Sequence, residues 1–184
     1  MESCTEETTE KAVRAATRMY LADRPRVALD YLAEAFDVDP NCYEALVMAG
    51  DLYDLRGQEL GLGDEQGSLT SLGYYGRAIA ARPDHAEAFA GKAIALLHLE
   101  EYIAAIQTAD QGLRVFDQRP TTDEPPNVWV NIGESLYRAK ALALLDDGNE
   151  EAGRQALGEG LSRFPDSEYL TQIVEYFLPD LGPA

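Results

Sequence analysis

Apolar residues along this chain recur three and four positions apart, not two. Tyr31-Leu32-Ala33-Glu34-Ala35-Phe36 and Ala93-Ile94-Ala95-Leu96-Leu97 show it most clearly, and such spacing gathers side chains on one face of a helix. No alternating run is bounded by hairpin turns, so strands are not expected. The punctuation also fits helices. Pro25 stands where the first residue of a helix tolerates proline, and Pro40, Pro83 and Pro165 follow helices that they cannot continue. Asn41 and Asp84 each precede a glutamate by three residues, Glu44 and Glu87, which predicts two capping boxes. Asp166 to Leu178 reads as a last helix, with Tyr169, Leu170, Ile173, Val174 and Phe177 in one stripe.

The pattern repeats. A shift of about 34 positions lays Ala16 on Gly50 and Pro83 on Asp117, and that period is the length of a helix-turn-helix unit. The second unit is the clearest, with Leu46, Ala49, Gly50 and Tyr53, then Ser71, Tyr75, Ala78 and Pro83. The first carries Ala12, Ala15, Ala16, Met19, Ala28, Leu32, Ala35 and Pro40. The third carries Phe89, Ala93, Leu96, Ala105, Ala109 and Gly112, with Asp117 where proline is usual; the fourth carries Trp129, Ile132, Gly133, Leu136, Gly153, Leu157, Gly160 and Pro165. Small residues fall where two backbones must approach, and bulky ones fill the space between. On these residues, over about 9–165, the chain resembles the tetratricopeptide repeat family. The resemblance implies an all-α, right-handed solenoid of about four helical hairpins, closed by a capping helix at 166–178, with Trp129 buried between neighbouring helices.

One repeat domain is expected, its units near 9–42, 43–85, 86–117 and 126–165. Even spacing fails in three places. Extra residues fall in 57–67, whose four glycines predict a mobile loop, and in a linker at 118–125 that contains Pro120 and Pro125. In the fourth unit, Tyr137 to Leu145 contains no breaker, which predicts a first helix longer by about two turns.

Charge narrows the classes of partner. Among 184 residues, 33 are acidic and 15 basic, a formal net charge of -18 that repels nucleic acid and anionic membranes. Only Lys11, Lys92 and Lys140 are lysines. The acidity fits a salt-adapted source or a basic partner equally well. Cys4 and Cys42 make no disulfide framework, which points to a reducing, cytoplasmic setting. The start Met-Glu-Ser-Cys-Thr-Glu-Glu has neither the basic nor the apolar region of a secretory signal, and no apolar run approaches the roughly 20 residues of a membrane span.

Catalytic constellations are missing from the sequence: there is no GxSxG, GxxxxGK, HExxH or complete dinucleotide GxGxxG, and Gly61-Leu62-Gly63 follows no strand. His98 and Glu101, three apart, could place two metal ligands on one helix face, but further ligands are needed, so a structural role is the simpler reading. His85 falls inside a capping box, and Cys42 as a nucleophile has no positioned base. No cofactor or metal is expected.

The family geometry also implies a concave face lined by the first helix of each unit. The residues there are Val13, Thr17 and Tyr20; then Glu44, Val47, Asp51 and Asp54; then Glu87, Ala90, Ile94, Leu97 and His98; then Asn127, Val130, Glu134, Tyr137 and Arg138. Apolar positions ringed by carboxylates suit a segment with apolar anchors and flanking Lys or Arg, and Ile94 with Leu97 is expected to be an exposed contact pair. The family's carboxylate clamp of Lys, Asn, Asn, Lys and Arg is replaced by Val13, Thr17, Met48, Glu87 and Gly91, so a C-terminal carboxylate is not the expected ligand. The expected function is a non-catalytic scaffold for protein interaction. Two alternatives stay open: a chaperone or assembly factor that shields apolar client segments, and an enzyme subunit with a site in 57–67. Tyr176, Leu178 and Leu181 lie outside the capping stripe, which suggests a homodimer through the last helix, against a monomer opposed to association by its charge.

Overall fold

A computed structural model describes the backbone of residues 2–118 and 126–177, and the side chains of 7–118 and 131–177 within them. Among these residues every regular element is an α-helix, and no strand is present. They group into two compact units, 1–83 and 84–184.

The first unit holds α1 (Glu2–Leu21), α2 (Pro25–Val38), α3 (Tyr43–Arg56) and α4 (Asp64–Ala81). Its core is made of small residues at the helix crossings, with Ala12, Ala16, Ala28, Ala35, Ala45 and Ala49 around Leu32 and Leu52. Alanine lets helix axes approach, and the gaps are closed by large side chains from the flanks. Tyr74 supplies one such closure, stacked between Phe36 at 6.0 Å and Tyr53 at 5.4 Å, with the Arg77 guanidinium over its ring at 5.8 Å. Pro25 is at the predicted helix start, in the first turn of α2.

The second unit holds α5 (Glu87–His98), α6 (Tyr102–Gln118), α7 (Pro126–Asp146), α8 (Glu150–Arg163) and α9 (Glu168–Phe177). At 21 residues α7 exceeds the 14 of α3 and the 12 of α5 by about two turns or more, but it matches the 20 of α1. Phe164 meets Phe116 and Tyr137 edge-on, each at 6.3 Å. Their rings close over Gly133, where an added Cβ would come within 2.7 Å of the tip of Phe116.

Three of the four hairpin turns share one backbone device. In each, a helix ends on a residue with positive φ, and the next amide reaches back five residues: Arg24 N–H to Met19 O, Glu101 N–H to Leu96 O, Asn149 N–H to Leu144 O. The left-handed residues are Asp23 (φ 58°), Glu100 (φ 59°) and Gly148 (φ 82°). This is the Schellman closure, which satisfies the last carbonyls of the helix.

The α3–α4 turn uses the same closure one helical turn later, so the loop is shorter than the expected 57–67. Leu60 N–H donates to Arg56 O, Gly61 (φ 89°) takes the left-handed position, and Leu62 N–H reaches back to Gly57 O. Residues 64–67 already belong to α4. Gly57 and Gly67 are buried against each other, and a Cβ on Gly67 would lie 3.2 Å from the Gly57 Cα and collide with the Tyr53 carbonyl. These two glycines serve close approach, not freedom.

Two further expectations are corrected. The capping boxes are out of register: α3 is preceded by Cys42 and α5 by Ala86, neither of which makes a side-chain cap bond. In α9 only Leu170 and Ile173 are buried; Tyr169 is 58% and Phe177 39% exposed, so the predicted stripe is narrower than five residues. The side chain of Trp129, Cys4, Leu178, Leu181 and the linker beyond Gln118 lie outside the described residues.

Candidate functional site

The predicted binding residues fall into two sets, one in each unit. In the first unit α1 and α3 lie side by side, joined where the Thr17 hydroxyl, itself bonded to Val13 O at 2.9 Å, approaches the Met48 sulfur at 3.8 Å. Val13 and Glu44 line one shallow concavity of about 1270 Å³, together with Thr9, Tyr43, Arg77 and Arg82. Glu44 is exposed and pairs with Arg82 at 2.8 Å, while the Arg82 guanidinium also covers the Tyr43 ring at 5.3 Å. Tyr20 is half-buried beneath the Arg56 guanidinium, 5.8 Å from its ring centre. Val47 is buried.

Asp51 and Asp54 are held from α4. Gly50 has no side chain, so the buried Tyr75 ring lies across it, and a Cβ there would be 2.5 Å from the ring. The Tyr75 hydroxyl thereby reaches Asp51 and donates to it at 2.7 Å. One turn along, the Ser68 hydroxyl donates to Asp54 at 2.6 Å. Burial pushes the Asp51 carboxyl up to about 6; the Tyr75 bond opposes that rise and the Asp54 charge adds to it. Among the described residues no cation pairs with Asp51. A carboxylate is thus held, half ionised near pH 6, by a neutral donor alone.

Sequence reasoning named both aspartates and missed the two hydroxyls that hold them. The signal was present: Tyr75 stands where the repeat pattern carries phenylalanine, and a tyrosine at a core position asks for a polar partner.

In the second unit the set is more deeply packed. Glu87 and His98 are exposed, Ile94, Leu97 and Arg138 are half-buried, and Ala90, Glu134 and Tyr137 are buried. Ile94 packs on Ala93, Ala109 and Ala139, so it is not the free half of an exposed pair. Arg138 lies over the Tyr169 ring at 5.8 Å. The side chains of Asn127 and Val130 are outside the described residues.

The chemistry expected of other residues is constrained in the same way. His98 ends α5 and Glu101 lies in the following turn, so the two do not share a helix face as the spacing suggested. Among the described residues no group of three or more His, Cys, Asp or Glu could hold a metal ion. Cys42 is buried, burial pushes its thiol up against a smaller opposing backbone bond from Ala45, and a Glu44 carboxylate oxygen at 3.7 Å also disfavours a thiolate. No helix among the described residues is long and apolar enough to cross a membrane.

The sequence matches no protein-family profile, and no curated protein matches it. The fold has solved counterparts. One is PilF of Pseudomonas aeruginosa, with a TM-score of 0.74 at 11% identity over 96% of this chain and 70% of that one. Another is MamA of Desulfovibrio magneticus RS-1, with a TM-score of 0.69 at 17% identity over 95% and 85%. The fold is a tetratricopeptide-like array of helical hairpins, as the repeat pattern implied.

Proposed function

We propose that this protein is a non-catalytic interaction scaffold, which holds a segment of another polypeptide against the face shared by α1 and α3. Asp51 is the observation that carries the reading. Asp51 is half-buried, and keeping an acid there raises its proton affinity and costs stability once it ionises. An asparagine would accept the same Tyr75 bond without that cost. A Lys or Arg from a partner removes the penalty by pairing with Asp51, with Asp54 one turn along α3 and the half-buried Val13 of α1 as an apolar contact. The partner is therefore a protein segment with a basic residue next to an apolar anchor, and not a nucleic acid, which the net charge of -18 repels.

The reading is tested on an array of short peptides that pair one Lys or Arg with neighbouring Leu, Phe or Val. Binding near pH 7.5 is expected for a subset, weakening as pH falls below about 6 and as salt rises. Asp51→Asn should lower the affinity of that subset at least about tenfold, the loss of one buried charge pair, while the helical signal is unchanged. Peptides that bind wild type and Asp51→Asn equally at both pH values would refute it.

A further inference from the structure

A basic stretch near the start of the sequence is matched by an acidic one at its end. Between Lys11 and Arg26 there are five basic residues and one acid, Asp23, in a chain with twice as many acids as bases; after Arg163 there is no basic residue at all. The structure turns both stretches into exposed helix faces. On α1, Lys11, Arg14, Arg18 and Leu21 are exposed and spaced three and four apart, so they form one stripe. Leu21 is 77% exposed, and Arg18 has no acidic partner among the described residues. Among the described residues Lys11 and Arg14 pair with Glu7 and Glu10 one turn back, surface pairs that exchange partners at little cost. Lys11, Arg14 and Arg18 border a depression of about 580 Å³ whose floor includes Thr17.

On α9 the exposed face is Glu168, Tyr169, Gln172, Glu175 and Tyr176, with Tyr176 81% exposed. Glu168 and Glu175 are seven residues apart, as are Lys11 and Arg18, so each pair spans about 10.5 Å along its helix. The match extends to the intervening positions. Packed antiparallel, the two glutamates face the two cations, and the Tyr176 ring meets arginine stems and guanidinium groups, which favour aromatic faces.

We propose that the α1 stripe of one molecule docks the α9 face of a second copy. The contact joins two different surfaces, so each molecule keeps one free donor face and one free acceptor face, and association is head-to-tail and open-ended instead of stopping at a two-fold dimer. Net repulsion between copies is long-ranged and is screened at moderate salt before the short-range pairs are. Assembly is therefore strongest near physiological ionic strength and is lost near 1 M, where the screening length falls to about 3 Å.

Sedimentation velocity over a wide concentration range tests this, using wild type, Lys11→Ala with Arg18→Ala, and Glu175→Ala with Tyr176→Ala. All the changed side chains are exposed, and helicity is checked by circular dichroism. Wild type should grow past a dimer with concentration at moderate salt, and each variant alone should stay monomeric. An equal mixture of the variants should stop at a dimer, because each supplies the face that the other lacks. Wild type that stays monomeric throughout, a wild-type dimer that survives the α1 substitutions, or variants that form nothing when mixed would each overturn the proposal.

Discussion

The α3–α4 and α7–α8 hairpins solve one packing problem in two ways. Each places a glycine on its first helix so that an aromatic ring from the following segment can lie across it: Tyr75 over Gly50, and Phe164 over Gly133. In the second the ring over the glycine has no polar atom, and Phe116 and Tyr137 complete the cluster. The first differs by one hydroxyl, and that hydroxyl holds Asp51. A steric device of the fold thus becomes, in one hairpin, the means of keeping a carboxylate where packing alone would not allow it.

The largest expected effect addresses what the hairpins share. Gly50→Val and Gly133→Val should each destabilise by about 3 kcal/mol in urea unfolding, since both force ring displacement in a filled core. A much smaller loss at either site would mean that its ring can move aside, and the comparison would fail there.

Comparable in size is the difference between them. The folded protein holds the Asp51 proton more tightly than an unfolded chain does, with about 6 against 3.8. The stability that this group contributes is full below about pH 3.8 and is lost as pH rises through 6. Asp51→Asn should therefore stabilise the protein by about 3 kcal/mol at pH 7.5 and flatten the pH dependence between those limits. Tyr75→Phe should do the opposite at pH 7.5, losing about 2 kcal/mol by leaving the carboxylate without its donor. The α7–α8 hairpin supplies the control, because Phe164 has no hydroxyl to lose.

The smallest effects concern the shared turns. Gly148→Ala should cost about 1 kcal/mol, because alanine resists the left-handed conformation, whereas Glu100→Gly should gain about 0.5 kcal/mol by relieving it. Equal effects at the two positions would show that the turns are not equivalent in the way their hydrogen bonds indicate.

Much of the fold was legible because helix crossings constrain residue size strongly. Ala16, Gly50, Ala93 and Gly133 recur in one register and are buried, and at the two glycines even a Cβ would collide with a ring. Cap positions were less legible: Cys42 and Ala86 start their helices without a side-chain bond, and tertiary packing decides the register there. The glycines of 57–67 could not be told apart because composition does not distinguish freedom from close approach; Gly61 uses the first and Gly67 the second. For the candidate site, helical spacing placed Asp51 and Asp54 one turn apart on one face of α3, where both meet hydroxyls of α4. It could not show that Ala90, Glu134 and Tyr137 are buried, nor that α4 supplies the donors, because both depend on how deep a neighbouring helix sits.

The central claim is that Asp51 is an acid held in reserve for a partner's cation, and a titration of its carboxyl carbon by NMR measures this directly, with Asp51→Asn used for assignment. In the free protein the midpoint should lie near 6, and a bound Lys- or Arg-bearing peptide should lower it by more than about one unit, the effect of an adjacent positive charge. A free midpoint near the ordinary 3.8, or one that no bound basic peptide moves, would contradict the account.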